Sequence, residues 1–282
     1  MKIKPLLAFL ALVFATLACS IQNIQMKTIE TQVKAIAEPM PSNSDVTELK
    51  FRMTGGKFSL VPGAQGLVNG TISYNVEQWE PEFTRRDNFY QIRQVDPLNF
   101  TGIPSGDVKN NWDLALSSVI PLNLAIEGGA SENFFDLTGL QLTDLNIVQG
   151  ASETIVRFDA PNPIAMNTFA FTTGASSAEL FGLANANFET MTISAGAGDY
   201  TLDFSGSLSK ETTVDIKAGV SNIKIIIPAS MNARINNLGI VTNINTRGTW
   251  LLSDNTYTTE AEGPMLTINL NVSVGNVSLI RE

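Results

Sequence analysis

Histidine is absent from this 282-residue chain, and cysteine occurs once, as Cys19. The first absence removes the commonest general base and the commonest metal ligand. The second forbids an intrachain disulfide. Charge is sparse: charged residues make up 16% of the chain, and the formal net charge is −9. A chain this acidic lacks the basic footprint that nucleic acid requires. Charge does not draw it to anionic lipid either. Serine has no histidine to activate it, and no Gly-x-Ser-x-Gly elbow occurs. No Gly-Lys-Ser/Thr follows a glycine-rich segment, so that route to a phosphate cradle is missing too.

What is present begins with a leader. Lys2 and Lys4 precede an apolar run, Leu6 to Leu17, that is short for a membrane helix. Thr16-Leu17-Ala18-Cys19 follows. The pattern resembles a bacterial lipoprotein signal, which implies cleavage after residues 1–18 and a lipid on Cys19. The protein is then expected outside the cytoplasm, held to the membrane by that lipid. Residues 19–44, ending in Pro39, Pro41 and Ser42-Asn43-Ser44, read as a loosely structured tether.

The body of the chain repeats. Gly129-Ala130-Ser131, Gly150-Ala151-Ser152, Gly174-Ala175-Ser176, Gly196-Ala197-Gly198 and Gly219-Val220-Ser221 follow one another at steps of 21, 24, 22 and 23 residues. Looser copies stand at Gly55-Gly56 and at Gly275. Before each glycine, apolar residues alternate at period two; after it they resume on the opposite parity. Met191 and Ile193 give way to Tyr200, Leu202 and Phe204; Val214 and Ile216 to Ile223, Ile225 and Ile227. A parity switch marks a corner that keeps one face inward around a bend. Gly56, Gly129, Gly150, Gly174, Gly196, Gly219 and Gly275 are therefore assigned to corners. Glycine suits a corner through positive φ or close backbone approach. Two short strands joined at a corner cannot bury their apolar face alone, so neighbouring units must stack. The expected fold is all-β, a single-stranded β-solenoid. Residues 97–282 hold the repeats, and a hairpin over 247–282 caps them, with Trp250 on one arm and Leu266 to Leu279 on the other.

Residues 45–96 carry a more specific signature. A Gly55-Gly56 strand corner precedes Gly63-Ala64 and Leu67-Val68-Asn69-Gly70, then Tyr74-Asn75 and Trp79-Glu80-Pro81. This order resembles the N-terminal module of the toastrack family. The repeats beyond it are similar to the β-solenoid regions of adhesin-type domains and of the C-terminal domain of LiaF-type envelope-stress proteins. The resemblance implies an exported stacked-β domain and brings no catalytic motif.

Chemistry on this scaffold has few candidates. Asp199 and Asp203 follow a Gly-Ala-Gly corner, yet a calcium β-roll needs tandem short copies that the chain does not have. Glu179 and Asp203 fall on neighbouring coils, and nothing singles them out as a glycosidase pair. No cofactor or metal is expected. Phe134 and Phe135 are adjacent, so at most one points inward; the other is expected to cover a turn, with membership of an exposed binding patch as the alternative. The reading is a non-catalytic surface lipoprotein, a scaffold or adhesin-like binder of an envelope protein or surface polysaccharide. A LiaF-like regulatory partner is the alternative, and a carbohydrate-active β-helix a distant third.

Overall fold

The computed structural model describes residues 25–26, 28–43, 45–94, 103–104, 107–239 and 241–282. Cys19, the leader and the start of the tether lie outside the described residues, as does the boundary expected at 96–97. The strands run β1 (Gln25–Met26), β2 (Thr28–Glu38), β3 (Thr47–Pro62), β4 (Val68–Val76), β5 (Glu82–Arg86), β6 (Phe89–Arg93), β7 (Ile103–Pro104), β8 (Asn110–Leu116) and β9 (Pro121–Asp136). They continue with β10 (Gln141–Gln149), β11 (Ser152–Arg157), β12 (Met166–Phe181), β13 (Phe188–Asp203) and β14 (Thr212–Ile227). The last are β15 (Ala233–Asn237), β16 (Val241–Arg247), β17 (Leu251–Ser253), β18 (Thr256–Thr258) and β19 (Leu266–Arg281). Among the described residues there is no α-helix, only two short 3-10 turns at Glu77–Trp79 and Leu183–Ala186.

The long strands form a parallel stack, each bent at its corner. β3 lies beside β9, then come β10 with β11, β12, β13 and β14. Registers align identical parities across the rungs. One buried column reads Leu49, Leu124, Leu145, Phe169, Met191 and Val214. Beyond the corner another reads Leu60, Phe135, Val156, Leu180, Leu202 and Ile225. Each such side chain contributes roughly 1.5–3 kcal/mol of burial, and only the neighbouring rungs make that burial available.

The corner glycines divide by cause. Gly129, Gly150, Gly174, Gly196 and Gly219 form one column, in which each rung's backbone presses on the next. A Cβ on Gly150 would stand 2.8 Å from the Gly129 carbonyl oxygen, and one on Gly196 would stand 2.6 Å from that of Gly174. This is close approach, and none of these five has positive φ. Gly56 and Gly275 belong to a different column, two residues further along their strands. That column also holds Ser131, Ser152, Ser176, Gly198 and Ser221. Its glycines Gly56, Gly198 and Gly275 take positive φ.

The C-terminal end differs from the expected hairpin over 247–282. Leu266–Arg281 is a full rung, parallel to β14 on one side and to β15 and β16 on the other. Chain order and stack order therefore part: the last strand is inserted inside the preceding one. The hairpin is confined to β17 and β18, which pair antiparallel and cover β15 through β18.

The N-terminal end corrects the tether. Thr28–Glu38 is a strand, antiparallel to β4. Its run of β-branched residues (Thr28, Ile29, Thr31, Val33, Ile36) favours extended backbone, and Ile36 is buried. The buried Glu38 carboxylate accepts from both the Nε and an Nη of Arg85 on β5. The module expected over 45–96 is continuous with the stack, because β3 is itself a rung. On its outer side β6 and β8 run parallel to it, and antiparallel β4 and β5 lie beyond them. Aromatic rings fill this end: Phe58 stands 5.5 Å from Phe51, 5.3 Å from Trp112 and 5.3 Å from Phe135, centroid to centroid.

Candidate functional site

Inside the corner the core turns polar. Ser131 Oγ donates to Gln149 Oε1 at 3.0 Å, and Asn133 Nδ2 donates to Thr154 Oγ1 at 2.9 Å. Ser152 Oγ donates to Ser176 Oγ at 3.2 Å, and Ser176 is also bonded to Thr173. All these side chains are buried. These hydrogen bonds tie neighbouring rungs together at the corner, while Asn133 Oδ1 and Gln149 Nε2 are buried without a hydrogen-bond partner among the described residues. Sequence reasoning passed over Asn133, although it shares the inward parity of Phe135.

The outer surface beyond the corner is ordered in columns whose members stand about 4.8 Å apart from rung to rung. The residue at the corner itself is Ala130, Ala151, Ala175 and Ala197 on successive rungs, then Val220 and Val274, all exposed. Val220 keeps 63% and Val274 46% of its surface in solvent. Two residues on, a polar column reads Lys57, Glu132, Glu153, Ser177, Asp199 and Asn222. Two further on, Phe134 and Ile155 stand side by side in register, 37% and 36% exposed. Phe134 therefore lies on the outer face of β9 and does not cover a turn. An apolar ridge, an acidic line and an apolar pair run in parallel down the stack.

Two grooves flank the acidic line. One of about 650 Å³ touches Ala130, Ala151 and Ala175 on the ridge side and Glu132, Glu153 and Asp199 on the other. A second, about 370 Å³, is lined by Phe134 and Ile155 with Glu132, Glu153, Lys57 and Asp113. Lys57 Nζ lies 2.6 Å from Glu132, and that hydrogen bond raises the lysine's pKa. Glu153, in register with Glu132, makes no ion pair among the described residues. Asp199 accepts from Asn222 Nδ2 at 2.8 Å, and Asn222 accepts from Asn276 at 3.0 Å. Next to Asp199, the Tyr200 hydroxyl donates to the Ala197 carbonyl; burial pushes its pKa up, and the Asp199 charge adds to this.

The family model described as the N-terminal domain of toast_rack, DUF2154, matches residues 22–163 and 162–226. The chain belongs to the toast_rack family. No curated protein matches this toast_rack chain. Two solved structures are similar to it. A "putative cell adhesion protein" from Clostridium sporogenes is 18% identical, with a TM-score of 0.48, and the match covers 91% of this chain and 100% of the other. A "putative adhesin" from Bacteroides fragilis is 11% identical, with a TM-score of 0.36, over 91% and 100% of the two chains.

The other carboxylates singled out from the sequence, Glu179 and Asp203, lie on neighbouring rungs of the toast_rack stack. Asp203 accepts from the Ser205 amide at 2.8 Å, which closes a turn. Glu179 is in register with Thr201, so Asp203 sits two positions beyond it on the next rung. Among the described residues no group of three or more histidine, cysteine, aspartate or glutamate side chains could hold a metal ion. Glu132, Glu153 and the pairing of Phe134 with Ile155 were missed. Counting three residues past each corner glycine would have found the acidic line, since 132, 153 and 199 follow Gly129, Gly150 and Gly196 at one spacing.

Proposed function

We propose that this toast_rack protein is a non-catalytic, adhesin-like binding lipoprotein of the cell envelope, held to the membrane by a lipid on Cys19. The observation that supports the reading most is the ordered outer face: exposed alanine and valine at the corners, beside an acidic line and an exposed Phe134–Ile155 pair. Single exposed apolar residues are ordinary, but a contiguous strip marks an interaction surface. Solenoids present such extended faces to partners, whereas small substrates need a concave pocket with convergent polar groups. Among the described residues no helix is long and apolar enough to cross a membrane; the lipid is the attachment proposed here.

Four measurements test this reading. Cys19→Ala moves the protein from the membrane fraction to the soluble fraction, and intact mass of the parent shows a diacylglycerol-type modification. An unmodified N-terminus on membrane-bound protein contradicts the anchor. Crosslinking on intact cells captures the same envelope component repeatedly from the parent. Steady turnover of glycan or peptide substrates by the purified chain, abolished by Asp203→Asn, contradicts the non-catalytic reading.

A further inference from the structure

We infer that the face beyond the corners docks an extended, cationic segment of a partner protein, in which a Lys or Arg alternates with apolar side chains. The inference rests on the binding reading above and names its partner class. Its first ground is charge. Among the described residues that line the two grooves stand Asp113, Glu132, Glu153 and Asp199, against one cation, Lys57. Lys57 is already engaged by Glu132. Glu153 stands next to Glu132 on the adjoining rung, and like charges at that spacing repel. A cation from a partner relieves that repulsion and meets a carboxylate with no ion-pair partner among the described residues.

The second ground is spacing. Ala130, Glu132 and Phe134 are successive outward positions on one strand; on the next rung Glu153 and Ile155 are outward positions of β11, and exposed Ala151 lies in the bend just before it. Outward positions on a strand recur about every 6.6–6.8 Å. The side chains on one face of an extended peptide recur at the same interval. A peptide laid along β9 and β11 therefore presents, on its facing side, an apolar residue over Ala130 or Ala151. A Lys or Arg then falls over the Glu132–Glu153 pair and an apolar residue over Phe134 or Ile155. The cation is flanked by apolar surface on both sides, which lowers local solvation and strengthens the pairing. An acidic partner is rejected by the same line of carboxylates.

The test uses the full chain purified in neutral detergent and three labelled peptides of equal length. One repeats Val-Ser-Lys-Ser-Phe-Ser, one replaces Lys with Glu, and one scrambles the first. The first peptide binds, weakens as salt rises, and outcompetes both others. Glu132→Gln, Glu153→Gln and Asp199→Asn together weaken it by about tenfold or more, with melting unchanged because these positions are exposed. Phe134→Ser alone weakens it at high salt, where the charge contribution is screened. Glu189→Gln with Glu211→Gln, on a separate groove, leaves binding unchanged. Equal binding of the scrambled or Glu peptide, or undiminished binding by the triple variant, overturns the inference. If the triple variant still captures its envelope component from cells as the parent does, this docking surface is wrong while the binding reading stands. If the parent captures nothing, the binding reading itself fails.

Discussion

Gly198→Ala is expected to lower the melting temperature more than any exposed substitution in the protein. Gly198 sits at φ +147°, and a Cβ there would stand 1.7 Å from the Ser176 carbonyl oxygen on the preceding rung. Two penalties coincide: a backbone region that L side chains rarely adopt, and a clash with backbone that cannot swing aside. The strand cannot back away locally, because β13 is hydrogen-bonded to β12 and β14 on either side of the corner. A cost of about 3 kcal/mol or more follows. For a chain of this size that is a fall of at least about 6 °C. Gly63→Ala is the control: φ is +109°, yet nothing lies within 4 Å of the added Cβ. It carries the backbone penalty alone. Melting followed by circular dichroism separates the two; equal midpoints for the two variants would show that the rungs do not press together at the corner.

Phe58→Ala is expected to cost about 3–5 kcal/mol, the range for removing a buried phenylalanine. Phe58 is the hub of the aromatic end, in edge contact with Phe51 and Phe135 and tilted against Trp112. Collapse around the gap is hindered on every side. Trp112 is fixed by its indole N–H, which donates to Asn110 Oδ1, and Asn110 in turn exchanges hydrogen bonds with Gln94. The neighbouring rungs are held in register by β3's pairing to β8 and β9. Urea unfolding reads the effect as a lower midpoint at an unchanged slope. A loss below about 1 kcal/mol would mean that the end of the stack repacks freely, against the interior density of proteins.

Much of this architecture was legible in the residues. Period two, switching parity at Gly129, Gly150, Gly174, Gly196 and Gly219, is enough to give two strands and a bend per repeat. Stacking follows because one such unit has nowhere to bury Phe169, Met191 or Val214 except against its neighbours. The spacing from each glycine also puts Glu132, Glu153 and Asp199 at one offset, but the acidic line they form was not read from it. The strand at Thr28–Glu38 was hidden because Thr and Gln dilute its apolar pattern, and its partner β4 lies some forty residues away, beyond the reach of local periodicity.

The order of the last rungs belongs to the tertiary structure alone. Val214, Ile268 and Ile235 occupy one inward column, and all are β-branched aliphatics of similar size. Either β15 or β19 offers β14 the same side-chain fit, so composition cannot choose between them. Length and edge protection decide. β19 is unbroken over 16 residues and matches all of β14, whereas β15 and β16 are short and separate. Placing the long strand inside satisfies its backbone groups on both sides, leaving the shorter pieces outermost, with the β17–β18 hairpin over β15. The exposure of Phe134 was likewise undecidable from the Phe134-Phe135 dipeptide. It was settled when Phe135 joined the inward column with Val156 and Leu180, which turned its neighbour to solvent beside Ile155.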